Sequence, residues 1–297
     1  MIIKDEVRSG LERQKPIVAL ESTVIAHGLP RPKNLETARR LEQIVHEGGG
    51  VPATIAMLAG ELRVGLETND LELLARSDDI KKLSVRDLAI GAARKWNGAT
   101  TVASTMWIAH RAGINVFATG GIGGVHRGSL PDVSADLPQL AQIPMIVVCS
   151  GAKIVLDLPA TREWLETNSV TVVGYGCDEM PAFYSRTSGL PIDVRCDTPK
   201  EVAHLFATQR HLDVRSALLV TVPVPGEAEV EQSLLNEVLK DSLGQAERDQ
   251  IRGRDVTPFL LAQMSRRSDG ATLRANIALL ENNARVAAQI ASELSRA

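Results

Sequence analysis

The apolar positions of this chain form two patterns, short continuous runs and longer stretches with a helical period. Continuous runs predict buried strands, and helical spacing predicts amphipathic helices. Strands are predicted at 16–20, 51–58, 62–66, 82–84, 114–118, 144–149, 170–174 and 218–222. Helices are predicted at 34–48, 71–75, 89–95, 104–112 and 154–157, from Thr257 onward, and along the C-terminal segment. This alternation is typical of an α/β protein whose helices cover a mostly parallel or mixed sheet.

Local signals support several of these elements. Ala59-Gly60-Glu61 separates two apolar runs and predicts a hairpin. Asn34 is a candidate N-cap and Gly48 a candidate stop for the first long helix. Thr257-Pro258 predicts a helix start with Thr as N-cap and Pro at the first helical position. In the C-terminal helix one apolar stripe is predicted, formed by Leu273, Ile277, Leu280, Ala287 and Leu294.

The composition is that of an ordinary globular protein. The chain has 297 residues, of which 44% are hydrophobic and 23% charged. It contains no internal repeat and no linker-like stretch, so we expect a single domain over residues 1–297. A net charge of −3 and 3% aromatic residues argue against a nucleic-acid-binding protein, which needs a basic face or stacking platforms.

The cysteines and the N-terminus bear on localisation. The three cysteines show neither CxxC nor metal-ligand spacing, which favours reduced thiols in a cytoplasm. Residues 1–15 mix charged and apolar positions without the apolar core of a signal peptide. No apolar run approaches 18 residues, so no membrane span is expected.

A glycine cluster follows the strand predicted at 114–118. Gly120, Gly121, Gly123 and Gly124 lie where ligands gather in α/β sheets, and His126 and Arg127 add donors and charge. The spacing matches neither the dinucleotide-binding nor the Walker A pattern. Two interpretations stay open: a phosphate site built from backbone N–H groups, or a tight turn that needs positive φ.

Lys153 follows the strand predicted at 144–149, at the predicted start of a helix. A lysine with an ordinary pKa of about 10.4 is neutral in only about one molecule in 2,500 at pH 7. The positive partial charge of a helix N-terminus disfavours an ammonium group and would favour the neutral, nucleophilic amine. The alternative is a surface lysine on a first helical turn.

Other polar groups allow a functional and a plain interpretation. Asp132, Ser134 and Asp136 offer the hard oxygen ligands that suit Mg²⁺ or Mn²⁺, or they cap the following turn. Glu21 ends a buried strand and is either a general acid or an ordinary charged residue at a strand end. Without further information, Lys82 and Arg86 are interpreted as part of a solvated basic face. Asn276 and Asn283, seven residues apart, share one side of the last helix and either reach a site or lie on its surface.

Together these segments resemble the pseudouridine-5′-phosphate glycosidase family, which includes the indigoidine-cluster A-type proteins. The matching stretches, in order, are ALEST with HG (19–28), VPATIA (51–56), NGATTVAST (97–105), VFATGGIGGVHRG (116–128), DVSADL (132–137), CSGAK (149–153), PAFYSRTSG (181–189), TPFLL (257–261) and NIALLENNA (276–284). Val222 departs from the family, which often has Asn there, and residues 226–256 carry little of its pattern.

The resemblance implies an α/β/α sandwich around a mixed sheet, a homotrimer and a divalent metal, typically Mn²⁺. It implies the reversible conversion of pseudouridine 5′-phosphate and water to uracil and ribose 5-phosphate. By this resemblance Lys153 is the covalent nucleophile, Glu21 the proton donor and Asp132 a metal ligand. The substrate-binding positions it implies are Lys82, Val102, Ser134, Ala135 and Asp136, together with His126 and Asn276, whose roles are less defined.

The bond to be cleaved explains why an amine would be needed. The base is attached through carbon, so it leaves less readily than the base of an N-glycoside. An amine at C1′ opens the sugar, and the electron pair on its nitrogen then expels the base and leaves a protonated Schiff base. Two alternatives stay open: a C-glycosynthase that joins ribose 5-phosphate to another carbon nucleophile, and a non-catalytic sugar-phosphate-binding protein.

Overall fold

The computed structural model describes residues 1–128, 132–251, 253 and 256–296. Its strands are β1 (Ile2–Ile3), β2 (Ile17–Leu20), β3 (Val51–Leu58), β4 (Glu61–Val64), β5 (Lys81–Leu83), β6 (Gly98–Thr100), β7 (Val116–Ala118), β8 (Ile146–Cys149), β9 (Thr171–Tyr175), β10 (Val194–Cys196) and β11 (Leu218–Thr221). Its α-helices are α1 (Asp5–Glu12), α2 (Lys33–Glu47), α3 (Thr68–Arg76), α4 (Val85–Arg94), α5 (Val102–Arg111), α6 (Asp136–Gln142), α7 (Leu158–Thr167), α8 (Pro199–His211), α9 (Gln232–Arg248), α10 (Val256–Arg267) and α11 (Ala271–Leu294). All eight predicted strands are therefore present, with shifted ends.

The strands form one mixed sheet in the order β1-β4-β3-β2-β7-β8-β11-β9-β10, with β6 pairing β3 and β5 pairing β6. The central strands β2, β7, β8 and β11 run parallel and are buried along their whole length. Strands that are covered on both faces show such continuous burial, which explains their unbroken apolar runs. Their carboxyl ends therefore meet at one edge of the sheet.

Strand β3 joins a parallel region of the sheet to an antiparallel one. Its first half pairs in parallel with β2, from Val51 opposite Ile17, and its second half pairs antiparallel with β4. The predicted hairpin between β3 and β4 is confirmed. Its two loop residues, Ala59 and Gly60, have φ of 50° and 82°, as a type I′ turn requires.

Helices cover both faces of the sheet, which gives the predicted α/β/α sandwich. Helix α11 packs on β2, β7 and β8, with α2 and α8 beside it. Helix α5 packs on β2 and β3, between α4 and α6. Helices α9 and α10 form a pair that contacts α11. Within the described residues no helix is long and apolar enough to cross a membrane.

The residues predicted to begin or cap three helices have other positions in the structure. Helix α2 begins at Lys33, and Asn34 lies inside it, where its side-chain amide donates to Ile25 O (2.9 Å) and Ala75 O (3.0 Å). Helix α10 begins at Val256, so Thr257 already lies within it. Residues 154–157, predicted as helical, form a turn, and α7 begins only at Leu158.

Candidate active site

A cavity of about 480 Å³ opens at the carboxyl ends of β2, β7 and β8. In open α/β sheets this edge is the usual place for a ligand. The ten site residues predicted from the sequence all line it, namely Glu21, Lys82, Val102, His126, Asp132, Ser134, Ala135, Asp136, Lys153 and Asn276. The structure thus brings together residues that are up to 255 positions apart, from Glu21 to Asn276. Their individual roles stay predictions.

Glu21 is a buried carboxyl group directly after β2, with only 8% of its surface exposed. Burial raises its pKa above the ordinary value of 4.5, and this effect outweighs the opposing effects of the nearby Lys153 ammonium and of a hydrogen bond from the Thr119 hydroxyl. Thr119 donates that bond to Oε1 of Glu21. Since a raised pKa favours the protonated form, Glu21 is suited to donate a proton.

Lys153 is half-buried in the loop that follows β8. Its backbone N–H donates to Ile122 O (3.1 Å), and its own carbonyl accepts from Leu156 N (3.0 Å). The predicted helix start at Lys153 is wrong, because the N-cap of the next helix is Asp157, whose side chain accepts from Ala160 N. What distinguishes Lys153 is its location in the cavity wall, where its charge acts on Glu21.

Of the four glycines in the loop after β7, tight packing accounts for Gly121, Gly123 and Gly124. None of them has positive φ, so the prediction of a turn that needs positive φ is wrong. A Cβ at Gly121 would lie 2.7 Å from the Phe183 ring, and one at Gly124 would lie 2.3 Å from Thr161 Oγ1. At Gly123 a Cβ would lie 2.2 Å from Ser134 Oγ. Glycine is required here because side chains fill the space that a methyl group would occupy.

Asp136 ties this glycine loop to helix α5. Its Oδ2 accepts from Gly123 N (2.7 Å) and its Oδ1 accepts from Ala103 N (2.9 Å), in the first turn of α5. A carboxylate at that helix end also complements the helix dipole. The carboxylate therefore caps α5, rather than the helix that Asp136 itself begins. Because Asp136 engages the Gly123 N–H, that backbone group already has a protein partner.

Several cationic side chains in the cavity wall could bind an anion. Lys82, Arg86 and Lys153 line it, as do His27 and His126. Lys82 and Arg86 were interpreted from the sequence as a solvated basic face, and the structure places both in the cavity wall. Because cationic side chains favour a phosphate group by charge and by hydrogen bonding, this wall suits a phosphorylated substrate.

The acidic loop, predicted as a possible metal site, offers a divalent ion a single unengaged carboxylate among its described residues. The described residues contain no group of three or more His, Cys, Asp or Glu side chains that could hold a metal ion. Asp132 is an exposed carboxylate in the cavity wall, whereas both oxygens of Asp136 accept backbone N–H groups. One carboxylate fits a Mg²⁺ or Mn²⁺ ion that keeps several waters and completes its shell with substrate oxygens.

Two residues at the site were not singled out from the sequence. Thr119, the hydrogen-bond donor to Glu21, comes directly after a buried strand, and that position was the available signal. Phe183 lies in the left-handed region with φ of 63°, which is rare for a bulky residue, and its ring borders the cavity. No pattern in a single sequence predicts such a backbone conformation.

The fold and the site define an α/β enzyme with a buried acid and an amine in one cavity. The sequence profile described as Indigoidine synthase A like protein matches residues 6–293, so the chain belongs to that family.

Several relatives are similar to the chain over nearly its whole length. A pseudouridine-5′-phosphate glycosidase of Geobacillus kaustophilus is 48% identical, covering 99% of each chain. The enzyme of the same name from Caldanaerobacter subterraneus is 47% identical, covering 99% of this chain and 96% of the relative. The prealnumycin C-glycosynthase AlnA, solved in complex with ribulose 5-phosphate, is 37% identical with a TM-score of 0.91, covering 99% of this chain and 96% of its own. An indigoidine synthase A-like protein of Thermotoga maritima is 36% identical, also with a TM-score of 0.91, covering 100% and 97%.

Proposed function

We propose that this protein is a pseudouridine-5′-phosphate glycosidase that acts through a Schiff base on Lys153. The observation that carries the proposal is the pairing of Glu21, a buried acid with a raised pKa, with Lys153 in one cavity. The names of the relatives support the substrate, because full-length relatives that are 47% and 48% identical carry this activity in their names.

The reaction begins at C1′ of the ribose. The neutral Lys153 amine attacks C1′, and the C1′–O4′ bond breaks as Glu21 gives its proton to O4′. The sugar is now open, and its C1′ carries both the lysine nitrogen and the base. The proton that the attacking nitrogen loses is available for the next step.

The base leaves in the second step. The lysine nitrogen forms a double bond to C1′ with its electron pair, and the C1′–C5 bond breaks toward uracil, whose C5 takes up the proton. Water then adds to the protonated imine, the amine departs, and the proton released by this hydrolysis returns to Glu21. The net change is one substrate and one water converted to uracil and ribose 5-phosphate, with the enzyme restored.

The remaining cavity residues bind and orient the substrate in this proposal. Lys82 and Arg86 supply positive charge for the 5′-phosphate, whose remote binding energy offsets the cost of holding the opened sugar. Asp132 would hold a Mn²⁺ ion together with water and substrate oxygens. When bound, the ion would supply positive charge that orders those oxygens. The homotrimer implied by the resemblance and the cytoplasmic location expected from the cysteines stay predictions, and the first is testable by sedimentation velocity.

A C-glycosynthase is the second candidate, favoured by the similarity to prealnumycin C-glycosynthase. It would use the same amine and acid in the reverse direction, with a different carbon nucleophile. Incubation of the protein with Mn²⁺ and pseudouridine 5′-phosphate separates the two. Release of uracil supports the glycosidase, whereas no release, with product formed from another acceptor, supports the synthase.

The covalent step is tested by trapping. Borohydride reduction in the presence of ribose 5-phosphate should add one reduced pentose phosphate to the peptide that contains Lys153. Lys153→Met should abolish the adduct, and Lys81→Met is the matched control, because Lys81 is exposed and pairs with Asp79 at the surface. An adduct on another residue, or none in the wild type, contradicts the mechanism. Loss of trapping in both variants would also contradict it.

A further inference from the structure

We infer that Asn283 is a positioning residue. It fixes the loop of Thr119, which donates a hydrogen bond to Glu21, relative to the loop that carries Lys153. The inference rests on the proposed function. Asn283 lies on α11 and is fully buried. Its amide nitrogen donates to the carbonyl of Thr119 (2.9 Å) and lies 3.2 Å from Ser150 Oγ. The Ser150 hydroxyl is also 3.3 Å from Asn283 Oδ1.

These contacts lie where the sheet ladder between β7 and β8 ends. Thr119 follows β7 directly and Ser150 follows β8 directly. Two backbone bonds continue the pairing, from Thr119 N to Val148 O (3.0 Å) and from Ser150 N to Gly120 O (2.9 Å). Asn283 adds a side-chain bridge across the same two loops from the helix layer.

Each loop leads to a reacting group. The Thr119 hydroxyl donates to Glu21. Ser150 precedes Lys153 by three residues, and Lys153 N donates to Ile122 O of the glycine loop. A shift of one loop against the other would therefore change the geometry between the acid and the amine. A displacement of about 1 Å in such a pair can reduce turnover about 10²-fold.

The role of Asn283 differs from that of Asn276. Asn276 lines the cavity, two turns earlier on the same helix, whereas Asn283 is not among the cavity-lining residues. The side-chain amide of Asn283 has a donor, which pairs with the Thr119 carbonyl, and an acceptor, which can pair with the Ser150 hydroxyl. An aspartate of nearly equal size offers acceptors alone and would face the Thr119 carbonyl with negative charge. We therefore choose Asn283→Asp as the main variant and Ser150→Ala as the milder one.

The test compares these variants with the wild type and with Asn282→Asp. Asn282 is the neighbouring amide on α11, where it is half-exposed and contacts Arg285. We expect Asn283→Asp to lower kcat about 10²-fold per trapped active site, with a much smaller change in KM. Ser150→Ala should show a smaller loss of the same kind, and Asn282→Asp should match the wild type. Counting sites by borohydride trapping corrects for unfolded protein.

The pH profile is the second readout. Thr119's hydrogen bond lowers the pKa of Glu21, as do the charges of Lys153 and Lys82, while burial and Asp136 raise it. Loss of the Thr119 contact should therefore move the basic limb of activity to higher pH. A purely structural residue would lower stability and leave both kcat per site and this limb unchanged.

The outcomes separate the two proposals. Wild-type protein that neither traps ribose 5-phosphate nor releases uracil overturns the proposed function. Wild-type protein that does both, with wild-type kcat and pH profile in Asn283→Asp, overturns the role of Asn283. If Asn283→Asp fails to fold, Ser150→Ala decides, and unchanged kcat in that variant overturns the inference.

Discussion

Gly123→Ala is the substitution whose effect follows most directly from the structure. The added Cβ would lie 2.2 Å from Ser134 Oγ, 2.7 Å from Ser134 Cβ and 2.8 Å from Asp136 Oδ2. Ordinary contact begins at 3.4 Å, so the first two atoms must move by about 1.2 Å and 0.7 Å. The hydroxyl can rotate away, but Ser134 Cβ moves only with its backbone. The methyl group therefore displaces the loop that carries Ser134 and Asp136.

Two magnitudes follow for this variant. Overpacking of this kind costs about 1–3 kcal/mol of stability. Displacement of site residues by about 1 Å reduces turnover about 10²-fold. Because the amide of Gly123 donates to Asp136, the same displacement weakens the carboxylate's hold on α5. The assay is uracil release from pseudouridine 5′-phosphate, with thermal unfolding followed in parallel.

Gly120→Ala is the matched control in the same loop. Its Cβ would meet Leu280 Cδ2 at 3.2 Å and Leu279 Cδ1 at 3.3 Å, the flexible ends of two side chains. We expect activity within about threefold of wild type, an effect of roughly 0.6 kcal/mol. Equal activity of the two variants, or a stable and fully active Gly123→Ala protein, would refute the packing explanation of this glycine.

Three further predictions concern titratable groups. Glu21→Gln should lower kcat about 10²–10⁴-fold. Burial raises the pKa of Glu21 in the folded protein. The contribution of the protonated carboxyl group to folding stability is therefore fully present below its ordinary pKa and is lost as pH rises through the folded-state pKa. The Tm of Glu21→Gln should therefore exceed that of wild type more at pH 8 than at pH 4, and an unchanged difference would contradict this. Asp132→Asn should weaken Mn²⁺ binding by calorimetry at least about tenfold without changing the metal-free Tm, whereas equal affinity would remove Asp132 from the metal site. Burial raises the pKa of the Cys149 thiol to about 12, so iodoacetamide at pH 8 should spare Cys149 in the folded protein; peptide mapping that finds it alkylated there would refute this.

The apolar pattern predicts the strands of this fold better than its helices. Buried parallel strands such as β8 and β11 are continuous apolar runs, so their own sequence carries the signal. Helix α8 was not predicted, although Thr198, Pro199 and Glu201 form a capping box with proline in the first turn. Capping signals were available there and for α7, where Asp157 precedes Leu158 and Pro159.

The candidate site was predictable as a set of residues but not as a set of contacts. The resemblance selected ten residues that all line the cavity. The bond from Thr119 to Glu21 and the bridge from Asn283 depend on side chains separated by 98 and 164 residues from their partners. Such long-range pairs cannot be predicted from the spacing of residues in a single sequence. The helix start assigned to Lys153 failed because a turn at 154–157 resembles a first helical turn in its apolar residues.

The glycine loop has an evolutionary consequence. None of its four glycines has positive φ, so neighbouring atoms rather than a left-handed backbone exclude a side chain at Gly121, Gly123 and Gly124. Three of the glycines therefore face a side chain that fills the space of their missing Cβ: Ser134 faces position 123, Thr161 faces 124 and Phe183 faces 121. Among relatives, loss of a glycine at one of these positions should be accompanied by a smaller residue at its partner. These paired changes would be detected as covariation rather than as conservation of either residue alone.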